Sequence, residues 1–201
     1  MELVTRSGWG AGPPKGKPVP IATPVANLWL HHSAGPDGGP DVVRGIQHFH
    51  QNGRGWADIA YTWLYSPRDR VFYEGRGPGV AGAHTRGHNR TSHAVCILGN
   101  YEASPLPRTA IDDLAEWAAW HFTAWGPGKY RPHNAVGATA CPGKHVLDVL
   151  DRINVYAEAP FRPDADPKPE PVNPNRDWLE ERVAPTFGDY ETWEAEVQKY
   201  E

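Results

Sequence analysis

Two histidines and a cysteine stand where a rigid fold presents reactive groups. His31 follows a short apolar run, and His133 precedes Cys141 by eight residues in a loop that turns into a helix. Strand ends and helix starts are places from which scaffolds project side chains toward a common point. Zinc in a catalytic site takes three protein ligands of His, Cys or carboxylate type and keeps a fourth position for water, so these residues are a sufficient set for a hydrolytic centre. Spacing by itself is a weak signal. The chain carries ten histidines, a histidine taken singly is usually a surface or packed residue, and a lone cysteine is more often buried and inert than reactive. Two other chemistries use the same residues. Cys141 and His133 could act as nucleophile and base, which leaves His31 without a role. A purely structural zinc would need a fourth protein ligand, for which His145, one helical turn past Cys141, is the near candidate.

The surrounding elements must position these groups. The glycine- and proline-rich stretch from Gly10 to Pro24 predicts an extended arm, and Ala26 to Leu30 a short buried strand that delivers His31. Pro40 begins a helix with Val42, Ile46 and Phe49 on one stripe, ended by Asn52-Gly53. Ala60 to Tyr65 and Val71 to Tyr73 read as strands joined by a hairpin loop, Ser66-Pro-Arg-Asp-Arg. Ala94 to Leu98 is a fourth strand, with Cys96 as a small core residue. A helix from Thr109 to Trp125 carries Ile111, Leu114, Ala118 and Phe122 on one face. Cys141-Pro142 opens another with Val146, Leu150 and Ile153 inward. Strands mixed with helices in this way predict an α/β or α+β sandwich.

The 201 residues, 39% hydrophobic with nine tryptophans, suffice for one main domain, expected over residues 1–158. Prolines among charges predict a semi-rigid linker over 159–176. Residues 177–201 are acidic, with Trp178, Leu179, Val183, Phe187, Trp193 and Val197 able to dock as short helices. A net charge of -4 without a Lys/Arg cluster argues against nucleic acid as a partner. No run approaches the roughly 20 apolar residues of a membrane span, and Met1 to Pro20 lacks the apolar core of a signal peptide. The expectation is a protein made in a cytosol, without membrane insertion or an export address. Two cysteines, Cys96 and Cys141, are too few for a disulfide framework. A monomer is expected, since no long apolar helix stripe is left unassigned.

Longer words then narrow the reading. In order they are Thr5-Arg-Ser-Gly-Trp-Gly-Ala, Leu30-His-His-Ser-Ala-Gly, Ile46-Gln-His-Phe-His and Gly55-Trp-Ala-Asp-Ile-Ala-Tyr. Val71-Phe-Tyr-Glu-Gly-Arg-Gly, Gly82-Ala-His-Thr-Arg-Gly-His-Asn, Leu98-Gly-Asn-Tyr and Ala138-Thr-Ala-Cys-Pro-Gly follow. Over about residues 4 to 155 this resembles the type 2 N-acetylmuramoyl-L-alanine amidases, which share a fold with animal peptidoglycan recognition proteins and with amidase endolysins of bacteriophages. The resemblance implies an α/β fold with a central mixed β-sheet of about five to six strands flanked by three main helices. It implies Zn2+ on His31, His133 and Cys141, with His32 a bystander. Tyr61 and Thr139 would face the attacking water and the scissile carbonyl, and His84 and Asn89 would line the groove for a muramyl peptide. Arg86 and Arg76 are candidates for peptide carboxylates. Glu74 is a candidate acid for the leaving amine, against a plainer role as a hydrogen-bond or ion-pair partner at a strand end.

Departures from the family pattern are Ala60 for glycine, Thr62 for asparagine or histidine, and Pro78 for the tryptophan of many recognition proteins. Thr62 and Pro78 are expected to border the groove. The implied activity is cleavage of the amide between N-acetylmuramic acid and L-alanine in bacterial peptidoglycan. The implied setting is a phage lysis enzyme held in the host cytoplasm until it reaches the wall. The alternative is a peptidoglycan-binding module without catalysis.

Overall fold

The computed structural model describes residues 2–158, apart from Pro24 and Ala26; the predicted linker over 159–176 and the acidic segment over 177–201 lie outside the described residues. In chain order the elements are β1 (Glu2–Val4), β2 (Asn27–His32), α1 (Pro40–His48), β3 (Trp63–Ser66), β4 (Val71–Glu74), β5 (Ser92–Ile97), α2 (Arg108–Trp125), β6 (Tyr130–Pro132) and α3 (Lys144–Glu158). One six-stranded sheet has the order β1-β4-β3-β5-β2-β6. β3, β5, β2 and β6 run parallel, while β4 returns antiparallel to β3 through the expected hairpin. The mixed sheet with three main helices is the architecture expected.

Side chains alternate across a strand, so each strand feeds two layers. Leu28, Leu30, Trp63, Tyr65, Phe72, Val95, Ile97 and Tyr130 join residues of α2 and α3 in the larger cluster. Leu64, Tyr73 and Cys96 join Trp9, Val43, Ile59 and Leu98 on the other face, against α1. Cys96 is the small core residue expected. Burying each large apolar side chain contributes roughly 1.5–3 kcal/mol. All six residues of β5 are buried, which is why this strand reads as a continuous apolar run.

Several elements differ from their sequence reading. β2 extends two residues beyond Leu30 and contains both His31 and His32. The edge strands β1 and β6 were not anticipated, because three residues are too few to display an alternation. In the first helix the predicted stripe of Val42, Ile46 and Phe49 is displaced: Val43, Gln47 and His50 are buried, and Phe49 is 52% exposed. Polar partners account for the shift. Gln47 donates to Asp58 Oδ1 at 2.7 Å, and His50 Nδ1 accepts the N–H of Ala60 at 3.2 Å. The helix continues through one wide π-type turn, Phe49–Gly53, and then stops. In α2, His121 lies deeper than Phe122.

The arm is fastened at its start. Trp9 Nε1 donates to the Glu74 carbonyl at 2.8 Å, the Arg6 N–H donates to Glu74 Oε2 at 2.9 Å, and Arg6 pairs with Asp58 at 2.8 Å.

Beneath the sheet His93 of β5 and His121 of α2 meet at 2.8 Å between Trp63 and Trp125. Burial keeps both rings neutral at neutral pH; His93 Nε2 donates to the Pro78 carbonyl at 2.7 Å, and the neutral ring then accepts from His121 Nε2 at Nδ1. Burial pulls His93 down to about 4 and also lowers His121, to which the adjacent His93 adds repulsion. The unfolded chain takes up these protons below about 6.5, whereas the folded chain takes up that of His93 only near 4 and holds His121 well below its usual range, so the unfolded state binds more protons in between. Stability should be full above about pH 6.5 and fall by a few kcal/mol toward pH 4. In thermal melts across this range, His121→Gln, which keeps a donor toward His93 but does not titrate, should flatten the acid slope; an unchanged slope would refute the assignment.

Candidate metal centre

Adjacent histidines on a strand face opposite layers, and β2 uses this to separate His31 from His32. Leu28 and Leu30 point to the α2/α3 layer, so His32 does too, where its Nδ1 accepts the Tyr101 N–H at 3.1 Å. His31 points to the α1 side, 1% exposed. There it meets a second strand end: β6 finishes at Pro132 and a single 3₁₀ turn, His133–Ala135, follows. The loop after it returns Cys141, tied back by the Asn134 N–H to the Cys141 carbonyl at 3.0 Å. The donor atoms of His31, His133 and Cys141 all lie within 4.8 Å of one another. His31 Nδ1 is 3.5 Å from Cys141 Sγ, and the His31 and His133 rings are 4.5 Å apart. The site lies beyond the carboxyl ends of parallel strands, where open α/β sheets place their ligands.

The electrostatics suit a cation. Burial lowers both His31 and His133, leaving neutral rings with lone pairs. Burial also pushes the Cys141 thiol up to about 11, although the His32 N–H at 3.4 Å partly counters this. A cysteine nucleophile needs a depressed pKa, so the Cys/His hydrolase chemistry finds no support in this environment. Two imidazole nitrogens and a sulfur at these separations fit the donor set and open fourth position of catalytic zinc. His145 does not join them: its Nδ1 faces Asp148 Oδ2 at 3.6 Å. Among the described residues the metal-capable cluster has three members.

Tyr61 lies beside this cluster, its ring 5.2 Å from that of His31. Burial, with the Cys96 and Cys141 sulfurs, raises its hydroxyl well above the usual range. Its segment is clamped by backbone. Gly75 N–H donates to the Thr62 carbonyl at 2.8 Å, and Arg76 N–H to the Tyr61 carbonyl at 2.9 Å. A Cβ at Gly75 would sit 2.2 Å from the Tyr61 carbonyl oxygen, which explains the glycine. From the other side His50, neutral because burial holds it down at about 4, accepts the Ala60 N–H. Thr139, expected beside Tyr61, accepts the Cys141 N–H at 3.1 Å and so shapes the ligand loop.

The remaining predicted residues divide. His84 is buried with its ring 5.6 Å from His31. Asn89 is turned inward, its Oδ1 accepting the N–H groups of His84 and Thr85, both at 2.8 Å. Arg86 is exposed on the same loop. The Arg76 guanidinium is engaged by the carbonyls of Ile59, Ala81 and Asp58 at 2.7, 2.9 and 3.3 Å, a clamp on the chain's own backbone rather than a free carboxylate receptor. Glu74 takes the backbone N–H of Arg6, in keeping with its plainer role. Thr62 and Pro78 do not border a groove. Thr62 is buried and accepts the Ala94 N–H at 3.1 Å, and Pro78 is buried with its carbonyl on His93. Sequence reasoning missed His50 and Asp58, whose bonds hold the segment before β3, and Thr85, whose hydroxyl lies between His31 and His84, although each lies inside a recognisable word.

Comparison with known proteins follows this geometry. A family model described as N-acetylmuramoyl-L-alanine amidase matches residues 22–144. The human N-acetylmuramoyl-L-alanine amidase is 35% identical over 165 residues, which is 72% of this chain and 27% of that protein. The mouse protein is 33% identical over 72% of this chain and 29% of its own length, so the chain spans under a third of either. Peptidoglycan-recognition protein SD of Drosophila simulans is 31% identical over 166 residues, 79% of this chain and 89% of the relative. Wild-type Drosophila PGRP-LB shares the fold with a TM-score of 0.67 at 30% identity, covering 74% of this chain and 92% of that one.

The geometry predicts a three-member ligand set. In chelator competition, Cys141→Ala and His133→Ala should weaken zinc binding by more than about 100-fold, beyond what loss of a supporting residue costs. His145→Ala should leave it within about twofold. A large loss in His145→Ala would point to a closed structural site instead.

Proposed function

The chain belongs to the N-acetylmuramoyl-L-alanine amidase family, and from that premise we propose that it hydrolyses the amide between N-acetylmuramic acid and L-alanine of bacterial peptidoglycan, with zinc held by His31, His133 and Cys141. The observation that carries this reading is the convergence of two histidine nitrogens and one sulfur within 4.8 Å. Peptidoglycan as substrate is supported by a structural relative, 28% identical with a TM-score of 0.69 over 76% of this chain, titled as recognition protein-LE in complex with tracheal cytotoxin, a monomeric diaminopimelic acid-type peptidoglycan.

Zinc bound there supplies Lewis acidity, polarising the amide carbonyl and lowering the pKa of water from about 15.7 to about 7. The chain's own residues do the rest. Tyr61 stays a protonated phenol at neutral pH, because burial and the neighbouring sulfurs oppose its ionisation, and donates to the oxygen that becomes negative as the carbonyl is attacked. Thr139 accepts from the Cys141 N–H and keeps its own hydrogen for a second donation. His84 lines the substrate side and exposed Arg86 meets peptide carboxylates. Asn89, Arg76 and Glu74 hold the loops that present them.

The chain acts, in this reading, as a monomeric phage lysis enzyme that waits in the host cytoplasm and then meets the wall. Residues 1–158 form the catalytic domain, 159–176 a linker, and 177–201 an accessory segment. Resemblance to amidase endolysins supports this setting. Among the described residues no helix is long and apolar enough to cross a membrane.

Mass spectrometry of purified peptidoglycan tests the activity. The wild type should release free L-alanine amino termini, while Cys141→Ala and the chelated wild type should not. Tyr61→Phe should keep its metal and lose about 100- to 1,000-fold in rate, the typical effect of removing one such donor. Polymer left intact by the zinc-loaded wild type would favour a binding module without catalysis. Products that survive chelation would overturn the zinc mechanism.

A further inference from the structure

Behind His31 lies a hydroxyl that the amidase reading does not use. Thr85 is 1% exposed, and its Oγ1 is 3.3 Å from His31 Nε2 and 3.1 Å from His84 Nδ1. The bond directions follow from the ligand set. His31 turns Nδ1 toward Cys141 Sγ at 3.5 Å, so Nδ1 must keep its lone pair and the ring proton sits on Nε2. His31 Nε2–H then donates to Thr85 Oγ1, and a hydroxyl has one hydrogen to give onward. It donates to His84 Nδ1, which leaves the His84 proton on Nε2. That nitrogen is buried without an aligned partner, with the backbone of Ser92 beside the ring.

We propose that Thr85 is a positioning residue of the metal centre, whose hydroxyl links His31 to His84 and fixes the tautomer of both rings. The inference rests on the zinc-amidase reading and adds a residue to it. Two further features hold the hydroxyl in place. Asn89 Oδ1 receives the N–H of Thr85 as well as that of His84, both at 2.8 Å, so one side chain sets the backbone of the pair. A Cβ at Gly82 would fall 2.2 Å from His84 Cδ2, so glycine there is what lets the ring lie close. Thr85 is also β-branched, which restricts its χ1. At this burial no bulk water stands ready to replace the hydroxyl. Outer partners of this kind orient a ligating histidine, and losing one typically costs about 10- to 100-fold in metal affinity.

The test compares zinc affinity, by competition with a chromophoric chelator, in the full chain and in Thr85→Val and Thr85→Ser, with melts of the zinc-free proteins as a folding control. Thr85→Val should weaken zinc about 10- to 100-fold without a matching change in melting, and Thr85→Ser should restore most of it. Nitrogen-15 NMR of the wild-type imidazoles should find His31 and His84 both protonated at Nε2, a reading independent of whether Thr85→Val folds. Wild-type affinity in a folded Thr85→Val, or His84 protonated at Nδ1, would overturn the relay alone. A wild type that binds no zinc would overturn the amidase mechanism and the relay with it.

Discussion

A side chain on a central strand can face only one of two layers, and the site depends on which layer receives His31. The pleat sends Leu28 and Leu30 to the α2/α3 side, so the next position must go to the α1 side. His32 is returned to the first layer and is satisfied there by the Tyr101 N–H. Moving the register of β2 by one residue would exchange the two histidines. It would also drive its leucines out of the larger cluster, since a one-residue slip inverts every side chain of a strand. The six-pair register with β5 forbids that slip. Packing of apolar residues on one face thus sets the candidate metal ligand on the other.

The second ingredient is a set of irregular segments made rigid by polar groups. Ile59 to Thr62 belongs to no strand, yet Arg76, His50 and the backbone of Gly75 and Arg76 engage it from several sides. Asp58 in turn is held by Arg6 and Gln47. Buried backbone outside regular structure must find partners, and here those partners also fix where the Tyr61 ring stands. The residues that satisfy the loop are the residues that aim it.

How much of this was legible in the sequence follows from the same division. Long elements with a clear period, α2 and α3, show their inward residues in the sequence nearly intact, and β5 is legible there as a short apolar strand, although its burial on both faces is seen only in the fold. Elements whose inner face is polar were misread. Gln47 of α1 and His50 of the turn that continues it point inward because Asp58 and Ala60 await them, and no hydropathy pattern records such a partner. The candidate trio is a weak signal from spacing and gains its weight from the resemblance, since the separation of His31 from Cys141 carries little information until β2 and β6 lie side by side. Arg76, Thr62 and Pro78 show the converse limit. Each occupies a position suggestive of a groove, yet Arg76 and Thr62 bond the chain's own backbone and the Pro78 carbonyl accepts from His93.

The unequal layers explain how a chain of this size accommodates so many buried polar groups. The α2/α3 side is packed with large rings: Phe72 lies 3.9 Å from Trp117 with planes 7° apart, and Trp63 meets Trp117 edge-on at 5.4 Å. Buried aromatics combine large apolar area with favourable ring geometry. The α1 side holds the smaller cluster and carries His31, Tyr61, His50, Asp58 and Arg76, whose desolvation costs free energy even when they are paired. Confining most of them to one side of a single sheet leaves the aromatic layer free to stabilise the fold. The polar groups that remain on the aromatic side are paired: each protonated ring nitrogen of His93 and His121 has an acceptor, His32 accepts the Tyr101 N–H, and Asp113 accepts from Tyr65 and Arg70.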